Sequence, residues 1–117
     1  MASIRDLVAA LRQREGVEAA IVLGRDGLLI DSQVVTGLDA EDLAARIPAI
    51  LGPADDLGSA ARRGETTTII LEHKQGFAIV SVLSAEAVLL VLVQSHANIG
   101  QLLYELRRNR EHIAALV

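Results

Sequence analysis

The sequence predicts a mixed α/β fold of the α+β kind. A five-stranded antiparallel sheet lies between helix layers, with elements in the order α-β-β-α-β-β-β-α. Three observations carry this. Residues 66–94 read as three β-rich runs, TTTIILE, FAIVSVL and VLLVLVQ, separated by the polar four-residue turns HKQG and SAEA, which is the pattern of an antiparallel meander. Residues 88–93 are apolar at every position, so that strand is covered on both faces. The flanking stretches carry helical periodicity and supply the cover.

Taken in order, Ser3 is the expected N-cap of a first helix, with Asp6 as its box-like partner. Ile4, Leu7, Val8 and Leu11 give that helix one apolar face, and Gly16 ends it. Residues 17–24 form a strand with Val17, Ala19, Ile21 and Leu23 on one face and Ala20 and Val22 on the other. Arg25-Asp26-Gly27 is a tight turn, and residues 28–33 return as a second strand. After a loop, Asp39 caps a second helix whose apolar set is Leu43, Ile47, Ile50, Leu51, Ala54, Leu57 and Ala61. The set keeps a 3.6-residue period through Pro48 and Pro53, although a proline costs about 3 kcal/mol in an ordinary helix interior. Either one long helix is kinked, which the unbroken phase favours, or a helix restarts with Gly52 as N-cap and Pro53 first. Arg62-Arg63-Gly64 closes it with cations and then glycine. Beyond the meander, Asn98 and Gln101 open a last helix. Its buried stripe is Ile99, Leu102, Leu103, Leu106, Ile113 and Leu116, with Arg107, Arg108 and Arg110 on the outer side.

Composition narrows the function. A chain of 117 residues leaves room for one core, so a single domain over residues 1–117 is expected. Aromatic residues are 2% of the chain, which argues against base stacking and against an aromatic-lined pocket for a small-molecule substrate. A formal net charge of -4 argues against nucleic acid. There is no cysteine, so disulfides and thiolate metal sites are excluded. The start of the chain carries acid early and resembles no leader, and the longest apolar run, residues 87–93, is far too short to span a bilayer. A cytoplasmic location follows as the default.

No phosphate loop, dinucleotide glycine motif or nucleophile elbow occurs, so neither a cofactor nor an active site is expected. His73, His96 and His112 lack histidine neighbours at helical spacing and read as solvated residues. Asp55 and Asp56 are adjacent on a helix, point in different directions, and read as a solvated face. Arg62 and Arg63 read as charge complements to a helix end.

Two features point to assembly. Thr66, Thr67, Thr68, Ile69 and Ile70 begin a β-branched strand at one end of the meander, and no lysine or proline blunts it. Pairing with its own copy about a twofold axis completes such an edge. Opposite the second helix's apolar set lie Ala45, Ala49, Gly52, Ser59 and Ala60, small enough to admit a second helix closely. The plainer reading of these residues is an ordinary solvent-facing surface.

Residues 21–32 (IVLGRDGLLIDS), 65–83 (ETTTIILEHKQGFAIVSVL) and 89–108 (LLVLVQSHANIGQLLYELRR) together resemble the Roadblock/dynein light chain family, and most of all its bacterial MglB-like branch. The resemblance implies that the second helix covers one sheet face and the terminal helices the other. It implies a homodimer through the third strand and second helix. It also implies a partner, a small Ras-like GTPase, on the platform formed by the paired second helices. That platform would draw on Glu41, Ala45, Arg46, Pro48, Ala49, Asp55, Asp56, Ser59 and Arg63. In this branch the dimer accelerates GTP hydrolysis by ordering the GTPase's own catalytic groups. Two other functions compete: a scaffold or light-chain-like module without effect on hydrolysis, and a small-molecule sensor, which needs a lined cavity.

Overall fold

The computed structural model describes residues 3–117. The expectation of no leader falls in part on Met1 and Ala2, which lie outside the described residues. The elements are α1 (Ile4–Gln13), β1 (Val17–Gly24), β2 (Leu29–Val34), α2 (Ala40–Arg46), α3 (Pro48–Ala60), β3 (Thr68–His73), β4 (Gly76–Val82), β5 (Ala87–Val93), α4 (Ile99–Arg108) and α5 (Arg110–Ala114). The five strands form one antiparallel sheet in the order β2-β1-β5-β4-β3. No helix among the described residues is long and apolar enough to cross a membrane.

The central position of β5 explains its unbroken apolar run, because both of its faces are roofed. On one face Leu89 and Val91 meet Val8 and Leu11 of α1, Leu102 and Leu106 of α4, and Ile113 of α5. On the other, Val88 and Leu90 meet Ala44 of α2, Ile47, and Leu51 of α3. Each such side chain contributes about 1.5–3 kcal/mol by leaving water. An Arg14–Glu105 ion pair links the end of α1 to α4.

The helix starts follow the sequence. Asp6 N–H donates to Ser3 Oγ at 3.2 Å, and Ser3 N–H donates to Asp6 Oδ2 at 3.1 Å. Asp39 Oδ1 accepts the Asp42 N–H, and Asn98 Oδ1 accepts the Gln101 N–H.

Several expectations need correction. The long helix is divided into α2 and α3 at Ile47, whose backbone stays helical (φ -65°, ψ -41°). Pro48 occupies the first turn of α3, where its missing N–H costs little, and Pro53 lies within α3 without a restart at Gly52. The helical Ile47 keeps the apolar phase across the division, which is why a single helix was the natural reading. Val17 lies on the opposite face from the one expected. The β1–β5 register shifts between Val17 and Ala19, and this bulge turns Val17 toward the terminal helices. Arg12 Nη1 donates to the Val17 carbonyl at 3.0 Å beside the bulge. The last helix is likewise divided, at Asn109 (φ -103°, ψ 10°). Arg110 turns inward, and its Nη2 donates to Thr68 Oγ1 at 3.0 Å.

The end of α3 departs furthest from the pattern. Leu57 is 71% exposed and Ala61 is exposed, so the last turns of α3 have lost the sheet beneath them. There Arg62 takes a left-handed conformation (φ 57°), with Arg62 N–H on Ser59 carbonyl at 3.1 Å and Arg63 N–H on Gly58 carbonyl at 2.7 Å. This is a Schellman closure with arginine where glycine is usual.

Gly76 opens β4 with φ 139°, and a Cβ there would collide with the Val93 carbonyl oxygen. Gly76→Ala should therefore lower unfolding free energy by about 1–3 kcal/mol in a urea titration. An unchanged midpoint would contradict this packing.

Candidate functional site

The sheet has two edges, and they differ. In β2 the register with β1 shifts between the Val22–Asp31 and Leu23–Leu29 pairs, leaving Ile30 as an extra residue. A bulge of this kind twists an edge away from further pairing. The other edge, β3, pairs with β4 in unbroken register from Thr68–Ser81 to His73–Gly76. It contains no proline or lysine. Val82 N–H donates to the Thr67 carbonyl at 2.9 Å. Antiparallel alternation then turns the backbone groups of Thr68, Ile70 and Glu72 outward, where no strand lies among the described residues.

The structure distributes the expected interface residues along this edge and the helices above it. Ala45, Ala49, Gly52, Ser59 and Ala60 are all exposed on the outer side of α2 and α3. Nothing lies within 4 Å of a Cβ built on Gly52. Ile69 turns toward the α2–α3 core, while Ile70 faces the other side and is 42% exposed. Thr66 and Thr67 precede the strand rather than belonging to it, because Thr66 is held by a side chain of α3.

That side chain is Asp55. Its Oδ1 accepts the Thr66 N–H at 2.9 Å and its Oδ2 accepts from Arg25 Nη2 at 2.9 Å. Asp55 is half-buried, so its reading as a solvated carboxylate is corrected; Asp56, beside it, is exposed as expected. The bond from Thr66 and the charge of Arg25 hold the Asp55 carboxyl below the usual carboxylate range. One carboxylate thus ties the β1–β2 turn, α3 and the entry to β3 together. Sequence spacing carries no sign of it, because Arg25, Asp55 and Thr66 are distant in the chain.

The remaining residues expected on the platform are mostly open. Glu41 and Arg63 are exposed. Arg46 is exposed and bonds to Asp42 through Nε at 3.0 Å and Nη2 at 3.3 Å, an i,i+4 pair of small energetic weight. Pro48 is half-buried beside Gly27, whose φ of 89° makes the preceding turn possible. His73, His96 and His112 are exposed.

Between α2–α3 and the far end of β3 runs an apolar groove of about 380 Å³. Leu43, Ile47, Ile50, Leu71, Phe77 and Leu92 line it, with Arg46 and His73 at its rim. It was not foreseen, since each lining residue reads singly as ordinary core. Among the described residues, no group of three or more His, Asp or Glu side chains gathers to hold a metal. Unpaired backbone, a small-residue helix face and an apolar groove form a surface suited to another protein.

The sequence model of the Roadblock/LC7 domain matches residues 4–93. An uncharacterised protein of Methanocaldococcus jannaschii is 30% identical over 106 residues, covering 91% of this chain and 92% of that protein. The fold is shared with a Roadblock/LC7 domain from Streptomyces avermitilis, at a TM-score of 0.84 and 21% identity over 96% of this chain and 95% of that one. Myxococcus xanthus MglB has the same fold, at a TM-score of 0.87 and 14% identity over 97% and 93% of the two chains. An MglB structure described as having a tetrameric arrangement superposes at a TM-score of 0.83, with 13% identity over 95% of this chain and 85% of that one.

The Asp55 anchor makes stability depend on pH. A depressed carboxyl in the folded state contributes fully above the unfolded value, near 3.9, and is lost as pH falls through the lower folded value. Urea midpoints measured from pH 6 down to 2 should show this loss in the native chain, and Asp55→Asn should flatten it. Parallel acid profiles for the two proteins would contradict the anchor.

Proposed function

This chain belongs to the Roadblock/LC7 domain family, and on that basis we propose that it is a non-enzymatic regulator that binds a small Ras-like GTPase as a homodimer. The observation that carries the proposal is the open β3 edge lying beside the exposed small-residue face of α2 and α3. Strand pairing across a twofold axis joins two sheets into one and brings the two helix faces together. Ala45, Ala49, Gly52 and Ser59, with Thr68, Ile69 and Ile70 and the Thr66–Thr67 approach to the strand, form the interface. The paired helices then present Glu41, Arg46, Pro48, Asp55, Asp56 and Arg63 to the GTPase.

The likeness to MglB supports this reading, and the tetrameric arrangement of one MglB structure supports self-association in that protein. Stimulation of GTP hydrolysis proceeds here by ordering the GTPase's own groups. No cofactor takes part, and a single domain in the cytoplasm carries the activity.

A second reading is a scaffold that binds without changing hydrolysis. The internal engagement of Asp55 and the Arg46–Asp42 pair favour it, since neither charge stands free. The sensor reading has less support, because the apolar hollow is an open groove rather than an enclosed cavity.

The functional test mixes the purified protein with the small Ras-like GTPases of its own organism. A GTP-dependent complex and faster phosphate release are expected. A complex that ignores the nucleotide and leaves hydrolysis unchanged selects the scaffold; no complex at all overturns both readings. The assembly test is Ile70→Pro. It removes an outward N–H and leaves the bonds to β4 intact, so the variant should stay folded and become monomeric by sedimentation. A folded, dimeric Ile70→Pro protein would contradict strand pairing.

A further inference from the structure

Each protomer carries an unmatched pair of features. Leu57 stands 71% exposed on α3, and an apolar groove of about 380 Å³ lies open beside Leu43, Ile50 and Leu71. A protomer cannot resolve this alone, because the two features lie at opposite ends of the edge. Leu57 sits at the end where α3 closes and the chain enters β3: Gly58 packs against the Gly64 carbonyl, and Asp55 holds Thr66. The groove opens at the other end, against Leu71, His73, Gly76 and Phe77.

Building on the dimer proposed above, we infer that Leu57 of each protomer seats in the groove of its partner. Antiparallel pairing of two β3 strands exchanges their ends, so the Thr68 end of one strand lies against the His73 end of the other. The lengths agree. From Thr68 to His73 a strand advances about 17 Å. From Ile47, in the groove wall, to Leu57 a helix advances about 15 Å. The twofold axis that aligns the strands therefore carries each Leu57 over the partner's Ile50 and Leu43.

Size agrees as well. A leucine side chain is small enough for a groove of this volume, and the neighbouring small residues Ala49 and Gly52 let the helices approach closely enough for it to enter. Asp56, next to Leu57, is exposed, and the groove rim carries Arg46, already bonded to Asp42, with His73 and Glu18, so the seat rests on apolar fit rather than on charge. Two seated leucines act as anchors at the ends of the interface, each filling an apolar pocket.

The absence of cysteine makes a clean test possible. Leu57→Cys and Ile50→Cys are made as separate full-length variants and mixed under mild oxidation. A mixed disulfide between the two variants is expected, with little homodimeric product from either alone, because contact at this seat satisfies disulfide geometry only across the pair. As a second measurement, Leu57→Ala should weaken the dimer at least about a hundredfold, since two seats are lost. It should leave the melting of dilute monomer unchanged, since that side chain is exposed there. If the wild-type protein is dimeric but Leu57→Ala dimerises equally well, or the mixed disulfide does not form, the seat is wrong and the dimer stands. If the wild-type protein is monomeric at high concentration, the dimer reading has failed and the seat falls with it.

Discussion

A strand can be bonded on two sides, and β3 is bonded by its own chain on one. The backbone groups of Thr68, Ile70 and Glu72 face solvent along an unbroken register. Water satisfies these groups, so the edge costs the monomer little, but it remains a template for another strand. The bulge at Ile30 gives β2 the protection that β3 lacks, and this difference leaves β3 as the edge open to another strand. Without it, the small-residue helix face and the groove would be unrelated surface features.

The rest of the fold holds that edge in position. β5 and β1 occupy the centre of the sheet and bury side chains on both faces, which fixes the plane on which β4 and then β3 are laid. The division at Ile47 lets Pro48 begin α3 while the apolar phase continues over the sheet. Asp55 then joins α3 to the entry of β3, and Arg110 reaches Thr68 from the opposite face. Helix and edge strand are thus fastened to one another within the protomer. The proposed association would therefore need little further ordering, and preorganisation of this kind favours binding.

The strands, the caps at Ser3, Asp39 and Asn98, and the double cover of the sheet were legible because each depends on neighbours in sequence: a period, a spacing of three, an apolar run. What escaped depends on residues far apart or on a single displaced one. One extra residue near Glu18 reversed Val17, since a period of two carries no memory across a bulge. Leu57 fits the helical period and still stands in solvent, because periodicity says which face a residue is on and not whether anything lies beneath that face. Asp55 looked like a surface carboxylate until the turn holding Arg25 was folded against it. The residues of the proposed interface were chosen as types, since threonine, isoleucine and alanine suit an edge and a close helix crossing. Their open position comes from topology, which puts β3 outermost.

Backbone amide exchange across a range of protein concentration tests the unfinished edge most directly. The account predicts that the Thr68, Ile70 and Glu72 amides exchange rapidly in dilute solution and become protected as concentration rises, while Ile69 and Leu71, bonded to β4, are protected throughout. Rapid exchange of Thr68, Ile70 and Glu72 at every concentration, in protein that remains folded, would contradict it.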